Sequence, residues 1–455
     1  MKNSNDIFCV FKVLSIIFIC AIFACGYIFQ SPNPSIIHSI IQSFNYSIST
    51  VHAQTAEELQ AKIDQRYQDI MNMEAEMKKY QAQIDDLGSQ ATSLAGTIKS
   101  LQLTQKKLEA NIAVTQDKIA AKSFEIQQLG SQISTKQSNI SDDQRIVSQS
   151  FKQLEQMGNT TITDIVLGSN SISGAMNTLE ELTQMQKNIF TKIDSLNKDK
   201  NQLVVNKNAS EKAKAELVSL NQQLADQRKV VLSTVNEQNA LLKETKNSES
   251  SYKALLATKK AQEAAFQNEL NSYESQLRLI VDASKLPTAG SGVLIWPLTS
   301  VKITQYFGNT DFSTANPQIY NGKGHTGLDF RASIGTPVKS ALSGTIIGSS
   351  NTDLVKGCYS YGQWLMVKHT NGLSTLYGHL SLRSVAVGDK VSTGQIIGYS
   401  GNTGYSTGPH LHFGVYASDG VQIKKFDTSI NCKGATIPVA DYKAYLNPLS
   451  YLPAL

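Results

Sequence analysis

The 455-residue sequence predicts a multidomain α+β protein, in which a long α-helical coiled-coil hairpin precedes a small, mostly antiparallel β domain. The first part has no proline between positions 54 and 284, and its apolar residues recur every seven positions. The second part holds most of the 29 glycines and alternates short β-branched and aromatic runs with turn residues. The predicted segments are a signal peptide or membrane anchor (1–53), a coiled coil with a break at about 158–175 (54–284), a linker (285–292) and the β domain (293–455).

The N-terminal segment has the features of an export signal. Lys2 and Lys12 precede the apolar run VLSIIFICAIFACGYIF, and VHAQ places Val51 and Ala53 at the small-residue positions of a cleavage site. The apolar run also lies at the lower edge of membrane-spanning length, so an uncleaved anchor is the alternative to cleavage after Ala53. Either way we expect an exported protein, periplasmic or extracellular and associated with the cell wall.

Charge and cysteine content agree with export. The net charge of +5 is small for this length, and no basic stripe indicates a nucleic-acid partner. Cleavage after Ala53 would leave two cysteines, Cys358 and Cys432, in an oxidising compartment. We therefore expect a disulfide that ties an inserted loop to the C-terminal segment, and two buried free thiols are the alternative.

The coiled-coil prediction depends on two heptad registers. One runs from Ile63 to Leu154 and the other from Leu182 to Val231. A seven-residue period kept this long is typical of a left-handed coiled coil, because a free helix would drift away from it. The first arm, of roughly 100 residues, would be about 150 Å long. We expect the second arm to fold back along it, although a break in a longer rod or a parallel dimer would give the same pattern.

Between the two registers lies the segment MGNTTITDIVLGSNSISGAMNTL, with glycines at 158, 168 and 174. This segment would form the tip of the hairpin. Its apolar stretch Ile162–Leu167 would have little core to enter there. An exposed apolar patch indicates a contact site for a partner.

The histidines indicate a metal site in the β domain. Five of the seven lie between His325 and His412. In HLHF, alternate residues of a strand share one face, so His410 and His412 would point the same way. Upstream, GHTGLDF supplies His325 and Asp329, and imidazole with carboxylate suits a zinc ion that keeps one position for water.

The residues leave open which of the two strand histidines binds the metal. No His-Glu-x-x-His motif is present, so the usual glutamate base of helical metalloproteases is missing. His379, in YGHL, and whichever of His410 and His412 is not a ligand would then carry protons.

At this point the sequence resembles a known family. The motifs GHTGLDF, GTPVKSALSGTI, VKHTNGLSTLYGHL, VSTGQIIGYSGNTG and GPHLHFGV occur in the order found in M23 (lysostaphin/LytM-type) zinc endopeptidases of peptidoglycan. The resemblance implies a small antiparallel β fold with an open groove. It also implies zinc ligands at His325, Asp329 and His412, and a catalytic pair at His379 and His410.

Other positions carry weaker expectations from the same resemblance. Tyr320 would stabilise an oxyanion, and His369 would be structural. FGNT (Phe307–Thr310) lacks an arginine that the family often has, and Ser349–Gln363 resembles an insertion.

The layout of a long coiled coil before such a domain is similar to EnvC- and PcsB-like murein hydrolases. That resemblance implies an FtsEX-like membrane complex as a partner through Ile162–Leu167, and a role in cell division or wall remodelling. It also supplies the alternative function, an EnvC-like activator that is not itself an enzyme. Because all five site residues are present, we expect an enzyme. We further expect helix near Tyr252–Ile280 to cover the groove and restrain the enzyme. The alternative is a rigid stalk that only sets the reach of the enzyme across the wall.

Overall fold

The computed structural model describes residues 55–87, 93–157, 172–277, 284, 286–290, 292–315 and 324–455. The predicted leader 1–53, the apolar segment Ile162–Leu167 and Tyr320 lie outside these ranges. Within the described ranges, none of the helices combines the length and the apolar character that crossing a membrane requires.

Four long helices form the N-terminal part of the described chain. They are α1 (Ala56–Leu87), α2 (Leu94–Met157), α3 (Ile172–Thr245) and α4 (Glu249–Gln276). The 64 residues of α2 and the 74 of α3 correspond to lengths of about 95 and 110 Å.

Helices α2 and α3 run antiparallel, as the predicted hairpin requires. Lys136 of α2 bonds Asp199 of α3 at 2.7 Å, and Asp143 of α2 bonds Lys192 of α3 at 2.8 Å. A later residue of α2 therefore meets an earlier residue of α3. Helix α2 ends at Met157 and α3 begins at Ile172, so positions 172–175, the last of the predicted break, are helical. Residues 158–171 lie outside the described ranges.

The prediction of one uninterrupted first arm is wrong. Helix α1 ends at Leu87 and lies antiparallel to α2, as the 2.9 Å contact between Arg66 and Asp117 shows. The start of α2 has a helix-capping signal, because the Ser93 hydroxyl accepts a hydrogen bond from the Gly96 N–H at 3.1 Å. The seven-residue count continues through the connection between the helices, and this hid the break.

A second interruption separates α3 from α4. Lys246 and Asn247 have φ values of 50° and 56°, in the left-handed region that ends helices. Ser248 then caps α4, its side chain accepting from the Ser251 N–H. The helical chain turns here and α4 returns toward the β domain.

The β domain is built on an antiparallel sheet. Its strands are β1 (Ile303–Gln305), β2 (Leu328–Arg331), β3 (Pro337–Lys339), β4 (Gly344–Asn351), β5 (Gln363–His369), β6 (Leu373–Arg383), β7 (Lys390–Val391), β8 (Ile396–Ser400), β9 (His410–Ala417), β10 (Val421–Lys425), β11 (Thr436–Ala440) and β12 (Tyr445–Leu446), with a short helix α5 (Asp311–Ala315) after β1. The strand order is β1-β2-β9-β6-β5-β4-β7, with β8 also paired to β6 and to β3, and β12 to β9. A separate hairpin is formed by β10 and β11.

The central strands separate an apolar core from a polar face. Leu411, Phe413 and Val415 of β9 are fully buried in the main core. His410 and His412 alternate with them and face away from that core, as the HLHF pattern predicts. The fold class predicted from the sequence, long helices followed by a small antiparallel β domain, is confirmed.

Two further predictions concern structural residues. Cys358 and Cys432 form a disulfide, which confirms the expected tie between the inserted loop and the C-terminal segment. His369 is buried away from the other histidines, with one ring nitrogen 3.1 Å from the Ser343 carbonyl and the other 2.9 Å from the Thr375 hydroxyl. Both of its nitrogens are therefore used in packing the sheet.

Candidate metal centre and active site

Three strands bring the site residues together. In the antiparallel pair of β2 and β9, Asp329 lies directly opposite His412. On the other side of β9, Gly378 of β6 pairs with His412, which places the next residue, His379, beside it. His325 precedes β2 and is fixed by two backbone hydrogen bonds of 2.8 Å with Gly308. The register of the sheet therefore sets the spacing of the site.

The geometry singles out His325, Asp329 and His412. The Nε2 atom of His325 is 3.1 Å from Nδ1 of His412 and 3.2 Å from Oδ1 of Asp329, and the last two atoms are 3.0 Å apart. These atoms form a nearly equilateral triangle. Tetrahedral zinc ligands at about 2.0–2.1 Å from the metal lie roughly 3.3 Å apart, so a small shift would fit the triangle around zinc. All three side chains are buried.

The hydrogen bonds of the two imidazoles suit this role. Nδ1 of His325 lies 3.0 Å from the Tyr306 carbonyl, so this nitrogen carries the proton and Nε2 keeps its lone pair. Nε2 of His412 is buried and has no hydrogen-bond partner within the described residues. Its other nitrogen, Nδ1, is the one in the triangle.

The electrostatics of the triangle favour a cation. Burial acts to raise the pKa of Asp329, but His325 and His410 outweigh it and hold that pKa well below its usual range. Burial lowers the pKa of His412. An ionised carboxylate beside two imidazole lone pairs, all buried, is a set of donors that a divalent metal would neutralise.

His379 and His410 flank the triangle. Their ring centroids are 4.5 Å apart, and His379 lies 6.1 Å from the ring of His412. Nδ1 of His379 contacts the Thr403 carbonyl at 2.8 Å, and Nδ1 of His410 contacts the Gly408 carbonyl at 2.8 Å. Each neutral ring therefore holds its proton on Nδ1 and leaves Nε2 as the basic nitrogen.

The backbone and surroundings of His379 are unusual. Its φ is 58°, a strained value for a residue with a side chain. Burial, followed by the nearby His410 and His412, holds the pKa of His379 well below its usual range. This histidine is therefore uncharged near neutral pH, with the lone pair of its Nε2 available.

Sequence reasoning missed the residues that orient these rings. Thr403 and Ser406, in the loop before β9, contact His379 and His410 respectively, the latter at 3.0 Å. Tyr361 packs its ring 5.6 Å from that of His412, and burial raises its pKa to about 12. The motif GNTGYSTGPHLHF contains the loop, but a backbone carbonyl contact has no residue signature.

Gly327 lies between His325 and Asp329, just before β2, which pairs with β9. A Cβ at this position would lie 2.6 Å from the Phe413 carbonyl oxygen and 2.8 Å from Cε1 of His412. The glycine lets β2 approach β9 closely enough for the ligand triangle to form.

Helix α4 covers this site. A cavity of about 110 Å³ remains between the helix and the histidines. Its floor contains the five site residues, and its roof is a polar stripe of α4 formed by Glu263, Gln267, Asn271 and Glu274. Burial raises the pKa of Glu263 to about 8, and its Oε2 atom has no hydrogen-bond partner within the described residues. The expectation that helix near Tyr252–Ile280 lies over the groove is confirmed for the described part, up to Leu277.

The other helices contact the groove from the side. Arg331, at the end of β2, bonds Asp85 of α1 at 2.8 Å. Lys107 of α2 donates to the Ser333 hydroxyl at 2.6 Å. A second cavity, of about 440 Å³, lies between α1 and the strands that carry Asp329 and His410.

Comparison with known proteins gives matches to the β domain. The model of peptidase family M23 matches residues 323–425. The DD-carboxypeptidase/endopeptidase Mpg of Neisseria meningitidis is 41% identical over 122 residues, which are 27% of this chain and 26% of Mpg. The peptidoglycan DD-endopeptidase ShyA of Vibrio cholerae is 44% identical over 89 residues, or 20% of this chain and 19% of ShyA.

Among solved structures, a zinc-containing peptidase from Vibrio cholerae is 31% identical, covers 27% of this chain and 36% of its own, and has a TM-score of 0.23. The chain spans about a quarter of the length of the curated relatives first matched. The motifs, the site and the family match coincide, and the chain carries a peptidase M23 domain over residues 323–425.

Proposed function

We propose that the protein is an exported, zinc-dependent endopeptidase that hydrolyses peptide bonds in the cross-links or stems of peptidoglycan. The observation that carries the proposal is the triangle of His325, Asp329 and His412, with edges of 3.0–3.2 Å. The M23 domain supports the reaction class. The peptidoglycan DD-endopeptidase ShyA, a relative over that domain, supports the substrate.

His325, Asp329 and His412 would hold the zinc ion, and the near-tetrahedral spacing of their donor atoms supports this assignment. Zinc bound there supplies a Lewis acid that polarises a carbonyl and lowers the pKa of water. The remaining steps belong to side chains of this protein.

His379 and His410 would move protons and orient the substrate. The Nδ1–H of His379 is held by the Thr403 carbonyl, so its Nε2 accepts a proton from the attacking water and returns it to the leaving amine. His410 is fixed by the Gly408 carbonyl and the Ser406 hydroxyl, and its Nε2 lies 3.8 Å from Oδ1 of Asp329. From this position it hydrogen-bonds the scissile carbonyl or the water.

The alternative is an EnvC-like activator that switches on separate amidases and cuts nothing itself. An activator has no use for a neutral, buried His379 beside a full set of metal-binding donors. The completeness of the five-residue site supports the enzyme over the activator.

The proposal includes a place of action. The apolar run Val13–Phe29 supports export, with the leader either cleaved after Ala53 or kept as an anchor. By its likeness to EnvC- and PcsB-like proteins, the segment Ile162–Leu167 would dock an FtsEX-like membrane complex during division or wall remodelling.

Clearing of purified, insoluble peptidoglycan tests the reaction class. The zinc-loaded full chain should lower the turbidity, and a chelator should stop it. His379→Ala, which lacks only the proposed base, should not clear walls at equal zinc content. Clearing that appears only when an amidase is added would support the activator instead.

A further inference from the structure

Helix α4 is attached to the β domain by a surface that plays no part in the chemistry. Phe266 and Leu270 of α4 are fully buried there. We call their partner the docking surface, formed by Cys358, Phe426, Cys432, Ala435, Ile437 and Val439. The rings of Phe266 and Phe426 meet edge to face at 5.9 Å.

Two carboxylates of α4 add directional contacts. Glu269 accepts hydrogen bonds from the Ile430 and Asn431 backbone N–H groups at 3.1 and 3.2 Å, and from the Asn431 side chain at 2.9 Å. Glu274 accepts from the Ala440 N–H at 3.0 Å and from the Tyr445 hydroxyl at 2.7 Å. These bonds fix the position of α4 along the surface as well as its distance from it.

The docking surface lies largely outside the domain that matches the family. The match ends at residue 425, and five of the six residues of the docking surface follow it: Phe426, Cys432, Ala435, Ile437 and Val439. The sixth, Cys358, lies in the segment Ser349–Gln363, which resembles an insertion. The Cys358–Cys432 disulfide joins these two additions into one apolar face.

The attachment determines what lies over the site. Glu263 is three residues, less than one turn, before Phe266, so seating Phe266 places Glu263 and Gln267 above the histidines. The cavity that remains is about 110 Å³. Sites that enclose small ligands are typically about 300–1,000 Å³, so a peptide of the cell wall cannot enter while α4 is seated.

We propose that the docking surface, which the Cys358–Cys432 disulfide assembles, holds α4 over the M23 site and thereby inhibits it. Substrate enters only after α4 leaves this surface. The closed and open forms are a two-state equilibrium, and anything that weakens the docking surface or binds the released helix increases the open fraction. The inhibition rests on the proposed function, whereas the closure of the groove does not.

The test compares two glutamate substitutions one residue apart in the full chain. Phe266→Glu places a charge on the buried face of α4, and Ala265→Glu places the same charge on its exposed face. Neither residue belongs to the metal site. At equal zinc content, Phe266→Glu should clear peptidoglycan about tenfold faster than the parent, and Ala265→Glu should match the parent.

A second readout does not depend on activity. Hydrogen exchange of the α4 amides (249–276) and of the loop 402–409 should accelerate in Phe266→Glu but not in Ala265→Glu. Glu269→Ala, which removes three hydrogen bonds and leaves the apolar contacts, should give a smaller change in the same direction. If Phe266→Glu fails to fold, Glu269→Ala tests the proposal in its place.

The outcomes separate the two claims. Faster exchange in α4 with an unchanged clearing rate in active protein would overturn the inhibition. Unchanged exchange in both Phe266→Glu and Glu269→Ala would overturn the docking surface. Faster exchange with no clearing by any zinc-loaded variant would refute the proposed function, and the closure of the groove by α4 would stand.

Discussion

The floor and the roof of the active-site cavity are held in place by different kinds of interaction. On the floor, Asp329 and His412 are cross-strand neighbours in a buried sheet, and the His379 ring is fixed by a backbone carbonyl. On the roof, Glu263 belongs to a helix that is attached through apolar side chains and a few hydrogen bonds from its carboxylates.

The site residues on the floor are therefore held more firmly than the helix that covers them. Moving a floor residue requires breaking strand pairing in the core, which costs a large part of the stability of a domain. Moving α4 requires only the loss of its contacts with the docking surface and of neighbouring helix contacts. The roof can therefore open while the site stays assembled, and substitutions in the two regions should have opposite effects on activity.

The largest expected effect is the loss of a floor ligand. Replacing His325 or Asp329 by alanine should abolish zinc binding and lower the rate of peptide hydrolysis by roughly 10³-fold or more, since a Lewis acid contributes several kcal/mol. Metal analysis and wall clearing measure the two effects. Full zinc occupancy in both variants would overturn the ligand assignment.

Next come the two histidines that flank the triangle. His379→Ala and His410→Ala should keep zinc, because neither side chain is in the triangle, and should lower turnover by about 10²–10⁴-fold. A normal rate in either variant would remove that residue from the mechanism.

The sequence predicted which residues meet on the floor, because a metal site needs particular side chains at fixed spacing, and their roles stay predictions. The HLHF alternation placed His410 and His412 on one face. The motif GHTGLDF supplied His325 and Asp329, and YGHL supplied His379. The orientations of the His379 and His410 rings could not be predicted, because Thr403 and Gly408 contact them through backbone carbonyls that any residue provides.

The helical region was predictable in kind but not in its turns. A heptad pattern reports which face of a helix is apolar and does not report where the chain reverses. The reversal before Leu94 was hidden because the period continued, although the capping serine Ser93 was a usable signal. The sequence predicted that helix near Tyr252–Ile280 lies over the groove, but the polar stripe that begins at Glu263 has the spacing of an ordinary solvated face, so the structure was needed to show which face of the helix covers the site.

Removing the disulfide should affect the roof more than the floor. Cys358 and Cys432 are 74 residues apart, and the chain-entropy model gives about 4 kcal/mol for closing such a loop. The double variant Cys358→Ser with Cys432→Ser should unfold at a lower temperature, while its zinc content at 25 °C is unchanged. A thermal melt of parent and variant with zinc bound checks this. An unchanged melting temperature would contradict it.

A smaller effect is expected where Gly327 packs closely against β9. Gly327→Ala would press a methyl group against the Phe413 carbonyl and His412, and should weaken zinc binding by roughly 10–100-fold. Gly408→Ala is the matched control, because nothing lies within 4 Å of the added Cβ. Competition with a chelator measures both affinities, and equal affinities would contradict the steric account.

A further expected effect is a pH dependence of the packing between α3 and the loop 402–409. Burial raises the pKa of Glu237 in α3 from 4.5 to about 7, where it faces Asn402, Lys259 and Asp353. When α3 separates from this loop, the pKa of Glu237 returns toward 4.5, which favours the ionised carboxylate. The contribution of Glu237 to this packing should therefore be greatest below pH 4.5, fall up to about pH 7, and change no further. Glu263, whose pKa burial raises to about 8, should lose its own contribution up to that higher pH.

Hydrogen exchange of the loop 402–409, corrected for the intrinsic rate, should show this loosening as a change of at most roughly 10²-fold between pH 5 and pH 8. Glu237→Gln should remove the part of this change that ends near pH 7. The same dependence in that variant would assign it to another group.

The most direct measurement is mass spectrometry of the products from purified peptidoglycan. The digest would use the zinc-loaded Phe266→Glu variant, with the double variant Phe266→Glu, His379→Ala as control. The account predicts new amino termini at peptide bonds, with the glycan strands and the amide to muramic acid intact, and no such termini from the control. The account would be contradicted if hydrogen exchange shows that α4 is released in the zinc-loaded protein and the digest still contains no new peptide termini.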